Sequence, residues 1–252
     1  MAGHSKWANI KHRKARTDQK RGKIFSKIAK EIMVAARVGG GDIHANITLR
    51  SLVQKARSYN MPADNISRAI KKGTGEGSDG VVFEELIYEG YAPGGIAVLV
   101  CVLTDNKNRS AAEVRAVFSK NGGNLGSTGS VAHLFQRKGQ IFVEGSAVDE
   151  DTLLTLVLEA GAEDMKQDGD SFEILTEPSQ FMAVVDALSE ADIPMPSSEL
   201  TFIPDLEVPV TDEGQARSIM KFVDLLDDLD DVQNVYANFN IDDALMDQLQ
   251  DI

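Results

Sequence analysis

Apolar side chains recur along the 252-residue chain with two different periods, and the change of period divides it. Over KIFSKIAKEIMVAARV (23–38), Ile24, Ile28, Ile32 and Ala36 form one stripe flanked by Phe25, Ala29 and Met33. That is the spacing of a helix with a single buried face, and the glycines at 39–41 are placed to end it. HANITLRSLVQKARSY (44–59) repeats the pattern through Ile47, Leu49, Leu52, Val53 and Ala56. Pro62 then opens a third helix, PADNISRAIKKG, with Gly73 as its expected stop. Three short helices with basic outer faces make a small α domain over 24–75, only loosely like a helix-turn-helix. The following GTGEGSDG (73–80) lacks the Gly-Lys-Ser/Thr ending of a phosphate loop, and no strand precedes it; a flexible linker is expected.

From residue 81 the period shortens. VVFEELIYEGYA and GIAVLVCVLT predict two strands turning at APGG (92–95). NRSAAEVRAVFSKNGG predicts a helix, with Ser110 and Glu113 spaced as a capping box. The segment 135–205 then runs strand, helix, strand, strand, helix, strand, the order of a ferredoxin-like sandwich with both helices on one face of an antiparallel sheet. A further helix in VPVTDEGQARSIMKFVDLLDDLDD and a strand in VQNVYANFNI (232–241) complete the earlier β-β-α unit most simply by returning to it. The expected fold class is therefore α+β. A basic arm (1–23) and the helical domain (24–75) precede a discontinuous α/β domain, 81–134 plus 206–241. The ferredoxin-like domain of 135–205 is inserted into it, and 242–252 forms a tail.

Charge sharpens this division. The whole chain carries −13, yet residues 1–75 hold 17 Lys and Arg against Asp18, Glu31, Asp42 and Asp64, a formal +13, leaving −26 for the rest. An acidic body repels polyanions over a Debye length of roughly 8–10 Å, so nucleic acid has to approach the basic end. The candidate contacts there are Lys6, Trp7, Lys11, Arg13, Lys14, Arg16, Lys20, Arg21, Lys23, Lys27 and Lys30. Among these, Arg13, Arg16, Lys20, Lys23, Lys27 and Lys30 advance by three or four residues and fall within an arc of roughly 100°, facing away from the Ile stripe. A basic ridge is thus predicted to run from the arm into the first helix. Upstream of Ile24 the charges occupy every side, so the arm is expected to be disordered when free and to order on a phosphate backbone. Trp7, with His4 and His12 nearby, either stacks on unpaired bases or docks on the body as an anchor.

Other chemistry is poorly supported. No run of about 18 apolar residues exists for a membrane span, and the N-terminus lacks a secretory apolar core or an amphipathic transit pattern. Lone Cys101, within IAVLVCVLT, is expected to be a core thiol in a reducing cytoplasm. Four histidines show no metal-ligand spacing with it, and no Gly-x-Ser-x-Gly motif is present. Asp224, Asp227, Asp228, Asp230 and Asp231 lack a calcium-loop pattern and overlap the apolar face of a helix. They are expected to form a solvated acidic face, with contact to the chain's own basic helices as the alternative. Adjacent carboxylates such as Glu84 and Glu85 arise by chance among 39 acids. No enzyme, cofactor, metal or small-molecule substrate is expected.

The opening GHSKWANIKHRKARTDQKRGKIFSKIAKEI resembles the N-terminal signature of the YebC/PmpR family. The resemblance continues through AARVGGGD, NMPADNISRAIKKG, IYEGYAPGGIAVLV, TDNKNRSAAEVR and NGGNLGSTGSV, covering roughly residues 1–135. It implies a three-domain fold, a helical domain and two α/β domains, in agreement with the periodicity. It also implies a DNA-binding transcriptional regulator of the bacterial cytoplasm. Relatives, including a mitochondrial translational activator, imply the alternative of a ribosome-associated translation factor that relieves stalling at proline-rich stretches. Either way the partner is nucleic acid, DNA or ribosomal RNA.

Overall fold

The structure, a computed structural model, describes residues 18–75, 82–242 and 245–246; the side chains at 18–21 and 168 lie outside that description. Three helices come first: α1 (Asp18–Gly39), α2 (Ile47–Ser58) and α3 (Ala63–Gly73). The next elements are β1 (Glu84–Ala92), β2 (Ile96–Thr104), α4 (Lys107–Lys120) and the short β3 (Asn124–Leu125). β4 (Phe135–Glu144), α5 (Glu150–Glu159), β5 (Ala162–Asp168), β6 (Ser171–Thr176), α6 (Phe181–Glu190) and β7 (Ser197–Pro204) follow. The chain closes with β8 (Val208–Val210), α7 (Glu213–Asp227), β9 (Val232–Ala237) and β10 (Phe239–Ile241). The α+β class expected from the periodicity is found, with antiparallel four-stranded sheets following a helical region. Among the described residues no helix is long and apolar enough to cross a membrane.

The chain forms two compact units. One takes Met1–Lys27, Asp79–Gln136 and Ile203–Ile252; the other takes Ile28–Ser78 and Arg137–Phe202. In the first, the sheet order is β3-β1-β2-β9, so the late strand β9 pairs antiparallel with β2, as the returning-strand argument requires. α4 and α7 pack on this sheet through Phe118 and Phe222, fully buried rings that meet edge to face at 5.0 Å and 88°. Gly90 makes room for that pair, because a Cβ there would lie 2.5 Å from the Phe118 ring.

Three details differ from the periodicity. The stretch 232–241 is two strands, not one: Asn238 interrupts it, accepting from the Ala97 amide through Oδ1 (2.8 Å) while its own backbone carbonyl accepts from Val208 N (2.7 Å). β10 thereby leaves the main sheet and pairs parallel with β8, which has too few residues to show a period. Secondly, Ser110 is inside α4 and is not its cap. Asn106 caps the helix, accepting from Arg109 N at 3.1 Å, and this frees the Ser110 hydroxyl for a buried network. Thirdly, Leu245 and Met246, assigned to the tail, are buried in the core of this unit.

Two buried carboxylates tie parts of the first unit together. Asp231 is buried, and its Oδ2 accepts from Thr104 Oγ1 (3.0 Å), Ser110 Oγ (2.8 Å) and the Arg109 guanidinium (2.6 Å). It therefore ties β2 and α4 to the start of β9. Glu89, also buried, accepts from the amides of Gly129 (2.7 Å), Val131 (2.8 Å) and Ala132 (2.8 Å), while its backbone carbonyl accepts from Gly126 N (2.7 Å). The loop GSTGSVA has no strand partner of its own, so one glutamate satisfies amides that the fold would otherwise leave unpaired.

In the second unit, the sheet order β5-β6-β4-β7 with antiparallel neighbours is the ferredoxin-like arrangement, and its apolar face is filled by α5 and α6. Leu153, Val157, Phe181, Val184, Val185 and Leu188 supply the helix side of that core.

Candidate nucleic-acid interface

The α1 stripe reads out as expected where it is described: Ile28, Ile32, Ala35 and Ala36 are buried. Its helix nevertheless extends upstream of Ile24, the position where the apolar floor begins. Gly22 does not break it; Ser26 Oγ donates to the Gly22 carbonyl at 3.0 Å, and helix is present from Asp18.

Asn46 joins α1 to α2. Its Oδ1 accepts from Leu49 N at 3.0 Å as the N-cap of α2, and its Nδ2 donates to the carbonyls of Ala35 (2.9 Å) and Gly40 (2.8 Å) at the end of α1. A single buried amide thus satisfies orphan groups at two helix ends. Gly73, expected as a stop signal, serves a different purpose. A Cβ there would sit 2.5 Å from the Met33 carbonyl and 2.8 Å from the Ala36 Cβ, so the glycine lets α3 cross α1 backbone to backbone.

These helices sort their cations into two sets. Arg50 pairs with Asp186 at 3.3 Å, and Lys55 lies between Glu31 (3.4 Å) and Glu199 (3.6 Å). Lys23 and Lys27 of the predicted ridge contact Asp228 and Asp227 at the end of α7. By contrast, Arg57 at the end of α2 and Arg68, Lys71 and Lys72 on α3 are exposed and make no ion pair among the described residues. The α3 residues lie at i, i+3 and i+4, opposite the buried Ile66, Ala69 and Gly73, so they form one cationic face. The basic outer face expected of this helix is found, although none of its residues is among the contacts predicted from the sequence; the spacing of NISRAIKKG carries them.

Of the predicted contacts, Lys6, Trp7, Lys11, Arg13, Lys14 and Arg16 lie outside the described residues. Lys20 and Arg21 lie on the α1 backbone without described side chains, and Lys23, Lys27 and Lys30 lie on the described part of α1. The expected solvated acidic face is likewise divided. Asp224, Asp228 and Asp230 are exposed, Asp227 is half-buried against Lys27, and Asp231 is buried against Arg109. Among the described residues no group of three or more His, Cys, Asp or Glu is placed to hold a metal ion.

A cationic three-helix region followed by two antiparallel α/β folds, one interrupting the other in sequence, is the class that these observations define. The chain belongs to the TACO1/YebC family: the family's N-terminal domain matches residues 5–76, and its second and third domains match residues 83–239. It is 55% identical over 249 residues to a "Probable transcriptional regulatory protein" of Natranaerobius thermophilus, covering 98% of this chain and 99% of that one. A protein of the same name from Syntrophobacter fumaroxidans is 51% identical over 249 residues, covering 99% and 100%. The crystal structure of a conserved hypothetical protein from Aquifex aeolicus superposes with a TM-score of 0.81 at 46% identity, covering 91% of this chain and 94% of that one.

Proposed function

We propose that the protein is a non-enzymatic, nucleic-acid-binding regulator of gene expression acting in the cytoplasm. It meets its partner through the basic arm and the exposed cations of the helical region. The observation that carries this reading is the face Arg68, Lys71 and Lys72, three exposed cations on one side of α3 that make no ion pair among the described residues. The names of the relatives favour transcription, and duplex DNA is accordingly the first partner.

One feature of the same face supports a second reading. Alongside its cations α3 exposes Ser67, a further donor for phosphate oxygens, and such contacts position a nucleic acid without reading its bases. Structured ribosomal RNA, with the protein acting in translation, fits such contacts equally well.

The two readings separate in a paired experiment. The protein is sedimented through a gradient of cell lysate with and without nuclease, and its affinity for promoter DNA is compared with that for random duplex. A preference of about 10³ or more for a promoter, with no nuclease-sensitive comigration with ribosomal particles, supports transcription. Comigration without sequence preference moves the function to the ribosome. Absence of nucleic-acid binding in both arms contradicts the proposal.

A further inference from the structure

The end of α7 is built against the usual rule for helix charges. A helix C-terminus carries a partial negative charge and favours cations, yet the last turn of α7 holds Asp224 and Asp227, is followed by Asp228, and contains no basic residue. The cations come from α1 instead, about 200 residues earlier in the chain. Lys27 Nζ donates to the Asp227 carbonyl (2.6 Å) and to its Oδ1 (3.3 Å). One turn upstream, Lys23 Nζ donates to the Asp228 carbonyl (3.2 Å) and Oδ1 (3.2 Å). Two lysines at i and i+4 therefore take two consecutive carbonyls and two consecutive carboxylates. The inner pair is the committed one: the Lys27 side chain is 12% exposed, whereas that of Lys23 is 47% exposed.

Lys23 and Lys27 are also consecutive members of the basic ridge that the sequence spacing predicts through Lys20, Arg16 and Arg13. A closely spaced row of carboxylate and carbonyl oxygens offers that ridge what a phosphate backbone offers, in the same chain. We propose that the acidic end of α7 is an intramolecular competitor: it holds Lys23 and Lys27 in the unbound protein and is displaced when nucleic acid occupies the ridge. This rests on the nucleic-acid-binding reading above and adds a threshold to it. Short or weakly charged polyanions leave the acidic end in place, and a partner long enough to follow the ridge displaces it and gains two further contacts.

The test uses the full chain and two duplexes of random sequence: one of 10 bp, which leaves the acidic end in place, for comparing the variants, and one of 30 bp for binding by the unaltered chain and for its hydrogen exchange. Asp227→Asn with Asp228→Asn removes the competing charge, keeps side-chain size and removes negative charge from a helix C-terminus, so the fold is expected to hold. Glu190→Gln with Asp192→Asn removes the same charge from an exposed site elsewhere and serves as the control. Two additional phosphate contacts steepen the dependence of log K on log salt by about 1.8, so the advantage of the Asp227/Asp228 variant over the control grows about tenfold from 200 to 50 mM salt. Equal slopes for the two variants overturn the proposal while leaving nucleic-acid binding intact. Absence of binding by the unaltered protein overturns the function reading and the proposal together. Hydrogen exchange on the unaltered chain supplies a readout that needs no variant. Added duplex is expected to speed exchange at the Asp228 amide, which bonds the Asp224 carbonyl (2.9 Å), and to slow it across residues 18–27. Unchanged exchange at Asp228 with duplex bound contradicts displacement.

Discussion

Replacing Glu89 with alanine is expected to destabilise the protein by about 3–5 kcal/mol, the cost of stranding several amides that a buried carboxylate now satisfies. The side chain is 4% exposed and accepts three backbone N–H groups from Gly129, Val131 and Ala132, which arrive from a loop with no sheet partner. Glu89→Gln keeps one acceptor but turns an NH2 toward donors, so it should cost less than alanine and still be measurable by urea unfolding. Burial pushes the carboxyl's pKa up, but the three amides together with nearby His133 outweigh it, and the group is held below its ordinary value of 4.5. The unfolded chain therefore binds this proton more readily than the folded one. The stabilisation is complete above about pH 4.5 and is lost as pH falls through the folded-state value. The variant's stability gap to the unaltered protein should accordingly narrow in acid. A cost below about 1 kcal/mol for Glu89→Ala at neutral pH would mean that water serves these amides as well as the carboxylate does.

The second large effect concerns binding. Neutralising α3 with Arg68→Gln, Lys71→Gln and Lys72→Gln removes three exposed cations from a face that buries nothing. If each contacts a phosphate, the salt slope becomes shallower by about 2.7, and the loss relative to the unaltered chain grows about fortyfold between 200 and 50 mM salt. Lys71 and Lys72 also favour the C-terminal end of α3, a contribution of about 0.3–1 kcal/mol each at most, so thermal unfolding should shift only slightly. Binding lost together with a large drop in melting temperature would point to a structural role for the face.

The parts of this molecule that were legible in the sequence are those where burial repeats locally. Ile28, Ile32 and Ala36 mark a buried helical stripe because neighbours on a helix face are three or four residues apart, and the alternation in β6 marks a strand for the same kind of reason. The return of β9 to β2 was legible because a β-β-α unit with an unpaired edge needs a partner. Two- and three-residue strands such as β3 and β8 are too short to carry a period, and the interruption at Asn238 depends on bonds to Ala97 and Val208 that no local pattern announces. The same limit applies to the candidate interface. The predicted ridge is a matter of local spacing, but the contacts of Lys23 and Lys27 depend on Asp228 and Asp227, far away in sequence. Likewise Glu89 and Asp231 were two acids among 39, and only their burial and donors distinguish them.

The central claim, that phosphate contacts from the basic end of an acidic protein carry its function, is tested most directly by the salt dependence of duplex binding by the unaltered chain. Six or more contacts, drawn from the arm and from Arg57, Arg68, Lys71 and Lys72, predict that log K falls with log salt at a slope of about −5 or steeper. A slope near zero would contradict the claim and would point to a protein surface as the partner.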